Sequence, residues 1–423
     1  MKLLTQVLLV ITFLYSEVAF AYLDPGSGSA IISVIIATIG SLWYFLKSLL
    51  YRVSGKNIEH ASLVSQDNSL LIFSEGKAYW GTFGPLVAEL IKEKIPFRYR
   101  TLDLHDPALT IESKYMQSKR LSLNPIHLAE FSKINAPVMI ATSPNIGTQG
   151  YPIMKPAGVA NLMHVFHHIG DISIYKRNSL DHYDSVILAG DFQKKSIRVL
   201  ENLRNLKKKR LITLGLLYLD ELYQNRLLVS ANDREKETIL IGSSWGPKGC
   251  LQTYGTAFIT ALVAAGFKVI IRPHPQSAIT EPEFIEKCKR ATISTLVTWD
   301  ESVSPTRAMS EAKLLISDTS SLRFDYAFLY EKPIITLAIP KANLAEFEAV
   351  DLDYCWHESA AAEIGVTVDS DSLHNIVDIV NRVIKTHASA ELQSFKRETI
   401  VNFGNCAPKV VSYIKKLNVN RER

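Results

Sequence analysis

Cysteine is scarce and scattered in this chain. The 423 residues hold four, Cys250, Cys288, Cys355 and Cys406, with no C-x-x-C pair and no metal-like spacing. That argues against a disulfide framework and a cysteine-based zinc site, and leaves free thiols in a reducing compartment as the expectation. Charge of one sign is also lacking. Lys and Arg number 47 against 42 Asp and Glu, a formal charge of +5. So mild a balance favours anionic partners such as phosphates or lipid head groups, and no nucleic-acid partner is expected. No repeat or low-complexity tract interrupts the chain.

Long apolar runs are present, but only near the start. Residues 1–21 read as Lys2, an apolar stretch and a small-x-small pattern at Ala19 and Ala21, which fits either a signal peptide or a first membrane segment. A second run within residues 28–50, "SAIISVIIATIGSLWYFL", is expected to be a transmembrane helix. No Lys or Arg lies in "YLDPGSGS" before it, whereas Lys47, Arg52 and Lys56 follow. Positive flanks stay inside, so the bulk of the chain is expected on the cytoplasmic side of a bacterial inner membrane. Ser29, Ser33, Ala37 and Ser41 form a small-residue stripe that would let such helices associate, so a homo-oligomer stays open as an expectation.

The remainder suits two α/β domains, at 68–225 and 226–423. Runs such as "SLLIF", "APVMIATS" and "DSVILAG" alternate with helix-like segments, and the pattern restarts with "ETILIGS", "FKVIIRPHP", "KLLISD" and "KPIITLAI". Continuous apolar runs mark strands buried on both faces, hence parallel sheets flanked by helices and facing each other across a cleft. Helices near 371–385 and 407–416 are expected to close the second domain. "ENLRNLKKKR" reads as a solvated helix end or a lipid-facing basic patch.

Ligands of open parallel sheets sit beyond the carboxyl ends of strands, where "RPHP" and "SDTSS" both fall. In the second, Ser317, Asp318, Thr319, Ser320 and Ser321 lead into a helix whose first N–H groups lack partners. Small hydroxyl side chains there would let a phosphate approach. Asp, Ser and Thr are also ordinary helix caps, which is the competing reading. Arg272 offers a forked cationic donor and His274 a second donor held between prolines. Upstream, "HVFHHIGDISIYK" carries His164, His167 and His168, with no carboxylate or cysteine at metal-ligand spacing. Adjacent His167 and His168 would point apart if extended. A cleft histidine of ordinary pKa, ~6.5, would suit a general base. Asp351-Leu352-Asp353 and Asp369-Ser370-Asp371 read as loop acids, and neither metal nor cofactor is expected.

In their order, "LGLLYLDEL", "ILIGSSWGPKG", "RPHP" and "LISDTSSLRFDYAFLYEKPII" resemble the CDP-glycerol glycerophosphotransferases, the polymerases and primases of teichoic acid synthesis. The resemblance spans roughly residues 160–340. It implies a GT-B-like pair of Rossmann-like domains, the first (68–225) on the acceptor side and the second (226–423) holding the donor nucleotide, with a CDP-glycerol or other CDP-alcohol donor and a lipid-linked or glycan acceptor. It also implies catalytic roles for His167 and His274, donor binding by Arg272 and Ser317 to Ser321, and a ribose-binding or orienting role for Asp325. Phe166 and His168 stand where that family has Trp and Gly. A nucleotide-sugar glycosyltransferase or epimerase, and a membrane-tethered scaffold without catalysis, remain alternatives.

Overall fold

In a computed structural model of the chain, residues 69–228, 237–302, 304–340 and 355–419 are described. The expected membrane segments and the Asp351 and Asp353 pair lie outside them. Among the described residues no helix is long and apolar enough to cross a membrane.

The first sheet is parallel throughout, with strands β1 (Leu70–Ser74), β2 (Phe97–Thr101), β3 (Met116–Arg120), β4 (Met139–Ala141), β5 (Leu162–Val165), β6 (Ser185–Leu188) and β7 (Arg210–Thr213). Their order is β3-β2-β1-β4-β5-β6-β7. The second comprises β8 (Thr238–Ser243), β9 (Lys268–Pro273), β10 (Val297–Trp299), β11 (Leu314–Ser317), β12 (Ile334–Leu337) and β13 (Val366–Val368), in the order β10-β9-β8-β11-β12-β13. The central strands β1, β4, β6, β8 and β11 are buried along their whole length, which is why they read as unbroken apolar runs. Alternation then divides them between two faces: Leu71, Phe73 and Met139 join one core, and Leu70, Ile72 and Ile140 the other.

Among the helices that flank the sheets are α1 (Trp80–Lys92), α2 (Leu217–Leu228), α3 (Leu322–Tyr330), α4 (Ile376–Thr386) and α5 (Cys406–Val419). Of the two expected closing helices, α4 covers the second sheet through Ile376, Ile379, Val380 and Val383. The other, α5, returns to the first sheet, where Val410, Val411 and Ile414 pack over Leu70, Ile72 and Ile140. The backbone amides of Cys406 and Ala407 donate to the Asp220 carboxylate on α2 at 2.8 and 2.7 Å, which fixes the entry of α5. One apolar cluster continues from Phe73 beneath the first sheet to Leu315 and Phe324 of the second half. Both sheets reverse their winding once, between β1 and β4 and between β8 and β11. These are the points where open α/β sheets leave a crevice at the carboxyl ends of their strands.

Candidate functional site

At the reversal between β8 and β11, a cavity of about 190 Å³ is bordered by Arg272, His274, Ser320, Ser321 and Asp325, with Ser243 from the end of β8. Two stretches far apart in sequence, "RPHP" and "SDTSS", therefore meet at one opening.

Asp318 sits behind this opening, fully buried. Its carboxylate accepts from the amides of Ser244 at 2.9 Å, Cys250 at 2.7 Å and Ser320 at 3.0 Å, and from the Ser244 hydroxyl at 2.6 Å. So it ties the β8 loop to the β11 turn. A carboxylate committed in this way cannot meet an anion, and Asp318 moves from the expected phosphate contacts to the frame that holds them. Ser317 makes the same move: its buried hydroxyl donates to the Gly242 carbonyl at 2.6 Å, across the β8–β11 pair. Ser320 is divided. Its amide serves Asp318 and its hydroxyl accepts from the Leu322 amide at 3.3 Å, a capping role, while the residue still lines the cavity. Ser321, the residue before α3, makes no side-chain cap bond. Its amide donates no hydrogen bond among the described residues. The Thr319 hydroxyl is buried without a partner. Thus Ser321 keeps free donors at the opening, whereas Thr319, expected beside it, is absent from the cavity lining, and Gly249 keeps the neighbouring loop tight, since a Cβ there would lie 2.2 Å from the Ser244 carbonyl oxygen.

Arg272 is not an independent cation. Its Nη1 bonds Asp300 at 2.6 Å and the Ser302 hydroxyl at 3.3 Å, which orients the guanidinium at the cavity rim. The Gln276 amide donates to His274 Nδ1 at 3.1 Å, which assigns the ring proton to Nε2 as a donor. Burial and the Lys248 charge hold the His274 pKa below its usual value, so the ring is neutral near pH 7 and its Nε2 can donate. Lys248 itself rests over the Trp245 ring, 4.2 Å from its centroid.

Asp325 borders the cavity from α3 and accepts a hydrogen bond from the Tyr218 hydroxyl of α2. Burial pushes its pKa up to about 7, against the opposing pull of Tyr218. Between about pH 4 and pH 7 the folded chain therefore keeps a proton that the unfolded chain, with its carboxyl near ~3.9, gives up, and stability falls as pH rises. Asp325→Asn is expected to remove this slope. Urea unfolding at pH 5 and pH 8 should show the variant gaining on wild type by roughly 2.5 kcal/mol at the higher pH.

His167 does not line this cavity. It follows β5 on the first sheet, and the chain bends there instead of extending, so the His167 and His168 rings stack at 4.9 Å and 12° rather than pointing apart. Tyr79 meets His167 edge-on at 5.0 Å. Its Nδ1 is buried without a hydrogen-bond partner, which leaves Nε2 as the accessible nitrogen, and burial lowers its pKa to about 4 rather than leaving it near 6.5. His164 belongs to the core, fully buried against the rings of Phe166, Tyr175 and Tyr183. The Tyr218 hydroxyl that donates to Asp325 also lies near the Ile169 backbone of the histidine loop. Among the described residues no group of three or more His, Cys, Asp or Glu is placed to hold a metal ion. The Asp369 carboxylate accepts from the Ser372 amide at 2.9 Å in an exposed turn and does not line the cavity.

No protein-family model and no curated protein matches the chain. Solved structures do. The wall teichoic acid polymerase TagF aligns with a TM-score of 0.55 at 12% identity, over 84% of this chain and 90% of that one. The UDP-GlcNAc 2-epimerase of Neisseria meningitidis, bound to UDP-GlcNAc, gives 0.53 at 14% identity, over 82% of this chain and 100% of that one. HepE of Anabaena, in complex with UDP and glucose, gives 0.50 at 9% identity, over 82% and 99%. The fold is GT-B-like. At such identities the likeness establishes this pair of doubly wound parallel sheets and nothing finer.

Sequence reading missed several groups that shape the site. Arg323 is buried behind the turn, bonding the Ser320 carbonyl at 3.1 Å and the Thr336 hydroxyl at 3.1 Å, and its charge faces Asp318. His357 arrives from beyond residue 354 to stand edge-on to Phe324 at 5.4 Å and 6.1 Å from His168. The position before it, Trp356, stacks on Phe192 of the first half at 4.1 Å. Only Arg323 carried a signal, as the cation of "SLRFDYAF"; the others depend on long-range packing.

Proposed function

We propose that the chain is a membrane-anchored transferase that moves glycerol phosphate, or a related alcohol phosphate, from a CDP-linked donor to a membrane-associated glycan or lipid-linked acceptor, releasing CMP. The observation that carries this reading is the convergence of Arg272, His274, Ser320 and Ser321 on one cavity at a sheet reversal. The donor's diphosphate lies there, met by the His274 Nε2 proton, the Arg272 guanidinium and the Ser321 amide and hydroxyl. An acceptor hydroxyl attacks the β-phosphorus. The new O–P bond forms as the bond from phosphorus to the CMP oxygen breaks, and the acceptor's proton passes to His167 Nε2. Charge growing on the departing CMP is stabilised by donors already in place, the usual main term in phosphoryl transfer. Asp325, held by Tyr218, orients the ribose or a neighbouring donor group. The apolar run within residues 28–50 keeps the enzyme at the inner membrane, facing the cytoplasm, where lipid-linked acceptors are presented.

A nucleotide-sugar transferase or epimerase is the second reading, favoured by the likeness to an epimerase bound to UDP-GlcNAc and to HepE with UDP and glucose. Membranes carrying the protein, incubated with CDP-, UDP- and GDP-linked donors, separate the two through the nucleotide set free. CMP from CDP-glycerol supports phosphotransfer. UDP or GDP release supports the sugar-transfer reading, and nucleotide binding without turnover a scaffold.

A further inference from the structure

The first sheet also reverses its strand order, between β1 and β4, and a second crevice belongs at the carboxyl ends of those strands. β1 runs into Glu75, β4 into Thr142 and Ser143, and β5, next in the sheet, into His167. Side chains gather at this edge. The Tyr151 hydroxyl donates to Glu75, and Tyr79, whose hydroxyl feels the same carboxylate's charge, sets its ring against His167. The buried Thr142 hydroxyl has no hydrogen-bond partner, and that of Ser143, beside Tyr151, makes no bond at proper geometry. Native proteins leave few buried hydroxyls in this state without reason.

We propose that this crevice is a polyol subsite, in which Glu75, flanked by Tyr79 and Tyr151, takes adjacent hydroxyl groups of a sugar or glycerol unit. A carboxylate offers about four lone-pair positions, so the Tyr151 phenol leaves room for a pair of hydroxyl donors. The tyrosine rings supply flat apolar surface for the C–H face of such a unit. The Glu75 carboxyl offers a phosphate no donor, whereas the cavity beside His274 offers several. A neutral, hydroxyl-rich unit therefore suits this crevice and an anion does not. Assigning the bound polyol to the acceptor rests on the proposed transfer reaction; the binding chemistry does not.

The test is saturation-transfer NMR on the full-length protein with glycerol, methyl glucoside and CDP as separate probes, for wild type and Glu75→Gln. Wild type is expected to transfer saturation to at least one polyol, and the variant to lose at least about fivefold of it while its CDP signal stays unchanged. Tyr151→Ala, which removes the flat apolar surface offered to the C–H face, stands in if Glu75→Gln does not fold. Absence of transfer to both polyols in wild type, or an undiminished signal in the variant, overturns the proposal. Polyol binding without any CDP signal removes the donor reading and leaves the subsite standing.

Discussion

Asp318→Ala is expected to lower the free energy of unfolding by at least about 3 kcal/mol, measured by urea denaturation. The substitution leaves the amides of Ser244, Cys250 and Ser320 without their common acceptor, and a buried donor left unpaired costs ~1 kcal/mol or more. It also leaves the buried Arg323 guanidinium without its nearest favourable charge. Asp318→Asn should be nearly as harmful, because its amide group would turn donors toward donors. Were Asp318 a phosphate contact instead of a frame element, the variants would keep wild-type stability and lose only nucleotide binding.

His167→Ala is expected to slow nucleotide release by about 100-fold or more, with little change in the affinity for CDP, since the residue is absent from the cavity lining. The lowered pKa has a definite sign. Burial disfavours the imidazolium, so the ring is neutral and able to accept a proton throughout the neutral range, and the acid limb of the rate profile should fall near pH 4 rather than 6.5. A variant within about threefold of wild type would remove His167 from the reaction and leave it as a packing residue against Tyr79 and His168.

The architecture was legible where strands are buried on both faces. "SLLIF", "ETILIGS" and "KLLISD" declare themselves because no polar side chain fits there. The edge strand β3, "MQSKR", does not, since its outer residues face solvent and its pairing with β2 is set by the neighbour rather than by its own pattern. Nor does the return of α5 to the first sheet: its apolar face suits either sheet, and the choice depends on Asp220 receiving the amides of Cys406 and Ala407. The candidate site divides in the same way. Strand-end position and residue type located Arg272, His274, Ser320 and Ser321, while the separation of anion donors from the Asp318 and Ser317 frame is a matter of which groups already have partners. Glu75 was silent because "IFSEG" shows only an acid after a strand; its meaning comes from Tyr151, which arrives from 76 residues away.

Whether the cavity between "RPHP" and "SDTSS" holds the diphosphate of a nucleotide donor decides the functional reading. Calorimetric titration of the full-length protein with CDP and with CMP, repeated on His274→Ala, reads this directly. CDP should bind at least about tenfold more tightly than CMP to wild type, a difference of about 1.4 kcal/mol, and the variant should lose most of that margin. Equal binding of CDP and CMP to wild type, or an unchanged margin in His274→Ala, would contradict it.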